Sequence, residues 1–337
     1  MQKLIGYIGT YESPASPGID CFSLDLKTGR LSATQRRFAV PDSKYLSLFD
    51  GVLAAPVRRD GRAGICLLDI ASPGDSPLGE CLPEQSPACF VTQDERYVYT
   101  ANYHEGNVLV YDKSGKTPRL ARTISIAPGA GCHQILFTGD YMLVPCLLLD
   151  RVNIYDRSQN FAEAGAIPFE PGTGPRHGVF DRAGSRLFLV SELSNELFVY
   201  EWTDPTSVRL RGRTPILPQN FTSDPAPASA AIRLSADQRF LYVSTRFADV
   251  ITVFALDGFQ AAPIQQVGSG GVHPRDFVLT PDGNYLLAAN RTQGGLACFR
   301  LDPESGKIGA LCSSVPAPEA VSVVLAQDKR RNTTGAV

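Results

Sequence analysis

Histidines, arginines and one glutamate stand at equivalent places in a repeated unit of this 337-residue chain. The four histidines are His104, His133, His177 and His273; Arg176, Arg246 and Arg275 accompany them, and Glu192 is the carboxylate among the cations. An imidazole titrates near working pH and can take up a proton. A guanidinium offers a planar fork that matches phosphate or carboxylate. Cations gathered around one carboxylate are costly unless solvated or used, and clustered titratable groups in a cleft mark a functional site. The ligand this set suits is a small polyanion.

The repeat that would bring these residues together is legible. Segments 89–111, 135–155, 178–200, 231–254 and 276–299 read alike: a short apolar strand, a turn (plainest at Pro281-Asp282-Gly283), a second strand rich in Leu, Val and Tyr, a polar loop, and a third strand ending on an aromatic. The closing aromatics Tyr111, Tyr155, Tyr200, Phe254 and Phe299 follow one another by 44, 45, 54 and 45 residues, the long gap holding an insertion around Thr206–Asp224. Gly18–Phe22 and Gly64–Leu68 look like third strands of two degenerate earlier copies, making seven units. No window carries apolar residues at helical spacing, and 30 Gly and 25 Pro punctuate the chain. The expectation is an all-β, seven-bladed β-propeller of four-stranded antiparallel blades. The strand-like stretch Ala320–Gln327 is expected to close the ring in one blade with Lys3–Gly9. The expected organisation is a single propeller over residues 1–327 and a polar tail over 328–337.

Composition narrows the function. A net charge of −2 with mixed signs gives no basic face for nucleic acid. No apolar run is long enough for a membrane helix, and the first residues lack a secretion signal. The eight cysteines show no CxxC pair; Cys21, Cys66, Cys89 and Cys298 lie in apolar strands, which reads as buried thiols in a reducing cytoplasm. The expected partner is a small anionic substrate, with no nucleic acid, no membrane and a monomeric chain.

In a blade the first strand lines the channel and the second returns antiparallel, so starts of first strands share a mouth with ends of second strands. Starts carry His133, Arg176-His177 and His273-Pro274-Arg275. Ends carry Asn102-Tyr103-His104, Cys146, Ser191-Glu192, Thr245-Arg246 and Asn290-Arg291. The opposite mouth has ordinary turn residues. His104 and His273 read as structural or rim groups, Arg291 as solvated, Arg275 as a candidate partner of Asp276, and Asp150 and Asp249 as turn caps. Cys132, His133, Cys146 and His177 lack the regular spacing of a zinc site, so no metal and no cofactor is expected.

Gly174-Pro175-Arg176-His177, Ser191-Glu192-Leu193, Tyr242 to Arg246, His273 to Phe277 and Tyr285 to Asn290, with Ile8-Gly9-Thr10-Tyr11 and Ala101-Asn102-Tyr103, together resemble the lactonase family of seven-bladed propellers over nearly the whole chain. That family includes bacterial propeller-type 6-phosphogluconolactonases and the fungal carboxy-muconate cyclising enzyme. The resemblance implies a lactone hydrolase whose catalytic residues fall on His133, Glu192, Arg176 and Arg246. Substrate-binding residues would be His177, Arg275, Tyr103 and Asn290. The chain departs from the family pattern at Gly131, Cys146, Ser191 and Thr245, all at the mouth. Hydrolysis needs an activated water and a stabilised oxyanion. Glu192 or His133 is the base; nearby arginines would lower a glutamate, which favours His133, with Glu192 orienting water or imidazolium. Arg176 and Arg246 would hold the oxyanion or a carboxylate, and Arg275 and His177 a phosphate. The expected reaction is 6-phospho-D-glucono-1,5-lactone to 6-phosphogluconate. The alternatives are a cycloisomerase or lactonase acting on a muconolactone-like acid, and a non-catalytic binding propeller.

Overall fold

The structure, a computed structural model, describes residues 3–72 and 74–326; the tail expected over 328–337 lies outside the described residues. Seven four-stranded antiparallel sheets form a ring. Blade 1 takes its inner strand, Ala320–Leu325, from the far end of the chain, and this pairs with Lys3–Thr10 from Gly6↔Leu325 to Thr10↔Ala320. Ring closure by the two ends of the chain is therefore as expected. Inner strands of successive blades, such as Pro175–Phe180, Ala228–Leu234, Val272–Leu279 and Ala320–Leu325, touch one another around the channel. The described residues contain one short helical turn, Leu147–Leu149.

The apolar strand residues pack between neighbouring sheets. Phe188 and Val190 of blade 5, for example, share a cluster with Leu241, Val243 and Phe254 of blade 6. The closing aromatics have a further role. At Tyr111, Tyr155, Tyr200, Phe254 and Phe299 the register to the outer strand shifts. Such a bulge increases twist, and all five side chains are buried. The aromatics do not end their strands: Glu196–Trp202 and Val250–Asp257 run on past Tyr200 and Phe254. The insertion is also smaller than its expected bounds. Residues Val208–Pro215 form the regular outer strand of blade 5, and the extra length falls in the loop over residues 216–227.

Three loop residues with left-handed backbone tie blade 4 to blade 5, blade 5 to blade 6 and blade 6 to blade 7. Asp150 (φ 47°) accepts from Gly172 N and Gly174 N at 2.8 and 2.7 Å, Asn195 (φ 54°) accepts from Ser229 N at 2.8 Å, and Asp249 (φ 55°) accepts from His273 N at 2.8 Å. Asp and Asn tolerate this backbone region. Asp150 and Asp249 thus act as braces between blades as well as in their own turns. Each holds the chain at or just before the first residues of an inner strand, which is where the mouth residues are.

Candidate functional site

Strand register places the expected residues at one mouth. The pairs Cys132↔Cys146, Pro175↔Ser191, Ala228↔Arg246 and Pro274↔Asn290 each set the start of an inner strand against the end of a second strand. At the opposite mouth Asp181 and Thr280 satisfy the amides of their own tight turns.

Glu192 is the centre of the cluster. Its Oε2 accepts from Arg176 Nε at 2.7 Å and lies 2.7 Å from Arg246 Nη2 in an ion pair. Burial alone would raise its pKa, but Arg176, Arg246 and Arg275 outweigh burial and hold the carboxyl below the ordinary glutamate value. The side chain keeps 19% exposure, so it is open to the channel. Arg176 is 1% exposed. Its Nη1 donates to the Ala230 carbonyl of the next blade at 2.5 Å, and burial pulls its pKa down to about 10. The guanidinium expected to hold an oxyanion is therefore sealed behind Glu192. Arg246 is the more open of the two: its Nε donates to Ala228 O at 3.3 Å, and its Nη2 makes no aligned hydrogen bond.

The histidines form a pair. His133 Nδ1 and His177 Nε2 lie 3.2 Å apart with ring centroids at 5.0 Å. Both are at least 95% buried. Burial, then Arg176, holds both pKa values well below the usual histidine range. His177 is therefore neutral at neutral pH. The expected phosphate contact fails here, because a sealed, uncharged ring whose Nε2 already faces His133 offers a phosphate no charge. Tyr45 and Phe90 pack edge-on against His177 at 6.3 and 5.9 Å and form the floor of the site. Beneath, Arg233 donates to Asp276 at 2.5 Å, so Asp276 is not the partner of Arg275.

The remaining expected residues separate. Tyr103 lies edge-on to His133 at 5.9 Å and is half-buried. It is held through Asn102, which accepts from His104 N and Glu105 N and donates to Glu84 and Ser86 O. Asn290 is buried, and both ends of its amide bond Ser269, at 2.7 and 3.1 Å; it braces the loop and has no free end for a substrate. His104 is exposed on the rim. His273 is enclosed, and burial pushes it down to about 4. Arg291, expected to be solvated, pairs with Glu319 at 2.8 Å. Cys21 is half-buried rather than buried, and the eight thiols are free. Among the described residues no cluster of three or more His, Cys, Asp or Glu is arranged for a metal ion, and no helix is long and apolar enough to cross a membrane.

The departure at Gly131 has a local reason. Its φ is +71°, and an added Cβ would sit 2.9 Å from Leu148 N and 3.3 Å from the Tyr103 ring. Leu148 and Tyr103 fill the space a side chain would need.

Two residues of the mouth escape the sequence reading. Tyr11 follows the second strand of blade 1, and Lys44 precedes the inner strand Ser47–Phe49 of blade 2. Those are the positions the mouth rule selects, but the repeat is degenerate there.

A family model described as "Lactonase, 7-bladed beta-propeller" matches residues 5–325. A 6-phosphogluconolactonase of Bacillus subtilis (strain 168) is 30% identical over 351 residues, covering 96% of this chain and 98% of its own. A solved structure of a protein from Lactobacillus plantarum superposes with a TM-score of 0.90 at 29% identity, covering 97% of this chain and 100% of that one. The periplasmic gluconolactonase of Pseudomonas aeruginosa shares the fold, with a TM-score of 0.86 at 24% identity over 97% and 99% of the two chains.

Proposed function

Since this chain belongs to the seven-bladed β-propeller lactonase family, we propose that it hydrolyses a small anionic sugar lactone, 6-phospho-D-glucono-1,5-lactone being the substrate that fits best. The observation that carries this reading is the Glu192 carboxylate held between two guanidinium groups beside a neutral histidine pair. A scaffold for protein partners has no use for that cluster. A muconolactone-like dicarboxylate is served less well, because Arg176 is sealed behind Glu192 and leaves Arg246 alone to face a carboxylate.

In this reading water is held by Glu192, which stays ionised, and attacks the lactone carbonyl. Arg246, which keeps 7% exposure against 1% for Arg176, supplies positive charge beside the oxyanion, where charge develops. His133 is uncharged and can take the proton from water as the C–O bond forms, then return it to the ring oxygen as the lactone bond breaks. His177 fixes the orientation of His133. Arg176 is a positioning residue: it holds Glu192 and does not reach substrate. The chemistry needs no cofactor.

The pH profile follows. Both Glu192 and His133 are in their basic forms at neutral pH, and both titrate below their ordinary values. Measured on glucono-1,5-lactone, which carries no titrating phosphate, kcat/KM should stay level as pH falls through 6.5 and decline only under more acidic conditions. A one-proton loss centred at 6.5 would contradict this assignment. The activity itself is checked by following freshly generated 6-phosphogluconolactone against its spontaneous opening. Saturable acceleration supports the proposal; a rate equal to the uncatalysed one rejects it. The proposed location is the cytoplasm.

A further inference from the structure

We propose that Lys44 and Arg275, arranged around Tyr11, form a distinct anion subsite that takes the phosphate monoester of the substrate. This rests on the lactonase reading and names what holds the far end of the molecule. The reacting cluster draws on blades 4, 5 and 6 through His133, Glu192 and Arg246. The second cluster draws on the opposite arc, blades 7, 1 and 2.

Three cations surround one ring. Arg291 Cζ, Arg275 Cζ and Lys44 Nζ lie 4.5, 5.4 and 5.9 Å from the Tyr11 centroid. An aromatic face attracts a cation, but three like charges on one ring repel one another. Glu319 neutralises Arg291 at 2.8 Å. Among the described residues, neither Lys44 nor Arg275 has a carboxylate partner. Glu84 acts on Lys44 and Glu192 on Arg275 only through space, so both cations lack a direct counter-ion. A phosphate monoester carries a second pKa near 6 and is close to a dianion at neutral pH, which matches that charge; a single carboxylate leaves one cation over. Arginine adds a planar fork and lysine a point charge, a pair suited to phosphate.

The subsite joins the reacting cluster. Arg275 acts electrostatically on Glu192, His133 and Arg246, and Tyr11 on Arg246. A molecule with a lactone at one end and a phosphate at the other would span the mouth between the two arcs. This also moves the phosphate away from His177.

The test uses Lys44→Met and, separately, Arg275→Met in the full chain, with melting curves to verify folding; Lys44 is half-exposed, so its removal leaves the core untouched. Turnover is measured on 6-phosphoglucono-1,5-lactone and on glucono-1,5-lactone, and inorganic phosphate is titrated calorimetrically. The expected result is a fall of about 10- to 100-fold in the preference for the phosphorylated lactone, chiefly through KM, with weaker phosphate binding in step. A preference unmoved by either variant overturns the subsite while leaving the lactonase reading in place. If the wild type opens neither lactone yet binds phosphate in a Lys44-dependent way, the lactonase reading falls and the anion subsite stands. Phosphate binding that ignores both variants rejects the subsite.

Discussion

Glu192→Gln lowers kcat on 6-phosphogluconolactone by about 10²- to 10⁴-fold, the range lost with a positioned proton-transfer group. Glutamine keeps an oxygen that accepts from Arg176 Nε, so the contact at 2.7 Å is retained in shape. What disappears is the negative charge. The amide holds water less well and gives no charge to steady the imidazolium that forms on His133. His133 does not compensate: burial, then Arg176, His177, Arg275 and Arg246, already hold its pKa down. The loss is therefore expected in kcat more than in KM. The variant is also less stable, since two guanidinium groups then face each other without a counter-charge. Steady-state kinetics corrected for spontaneous opening, alongside a melting curve, separates the two effects. A folded variant with undiminished kcat would remove Glu192 from the chemistry.

Arg176→Met acts mainly on stability. It is expected to cost about 1–3 kcal/mol, the penalty for leaving a buried acceptor unpaired. The guanidinium joins three elements. It grips Glu192 from its own blade and the Ala230 carbonyl of the next, so its loss strands the buried acceptor and leaves Glu192 with Arg246 as its remaining ion-pair partner. Methionine fills much of the volume, which confines the effect to the polar contacts. A second consequence distinguishes this residue from an inert strut. After burial, Arg176 is the main influence holding His133 and His177 below their usual range. Its removal should raise both, so the acid limb of the rate profile moves up toward 6.5. Urea unfolding with an unchanged slope gives the stability; a change within ±0.5 kcal/mol would mean that the buried contact does not exist.

The ring was legible because its signals are local and repeated. Tyr111, Tyr155, Tyr200, Phe254 and Phe299 keep their spacing because each must seal the same layer between blades. The shared mouth followed from antiparallel pairing alone, and Arg176, Glu192 and Arg246 do meet there. Burial was the hidden variable. Arg176 and Arg246 look alike in sequence, but one is sealed at 1% exposure and the other keeps 7%. Asn290 sits where a substrate contact belongs, yet Ser269 consumes its amide, and residue type does not reveal that. His177 looked cationic until its neighbours were placed: Tyr45, Phe90 and His133 enclose it. Tyr11 and Lys44 were missed because blades 1 and 2 carry the weakest repeat, although the same positional rule selects them.

Two of the four departures from the family pattern, Gly131 and Cys146, lie together in blade 4. Cys132 and Cys146 face each other across blade 4, flanked by hydrogen bonds from His133 N to Pro145 O and from Leu147 N to Gly131 O. This is a non-hydrogen-bonded pair, where opposed side chains approach most closely. The small thiols let His133 follow directly in the chain with its ring turned to His177. Gly131 is required by its positive φ and by Leu148. These two changes reshape the wall beside His133, while the departures at Ser191 and Thr245 stand next to Glu192 and Arg246.

The most direct measurement is a crystal structure of the full chain with 6-phosphogluconate bound. The account requires the new carboxylate of the product within hydrogen-bond distance of Arg246 and beside Glu192, and the phosphate across the mouth against Lys44 and Arg275. Product bound at the tight-turn mouth, or on the outer strands with this cluster bare, would contradict it.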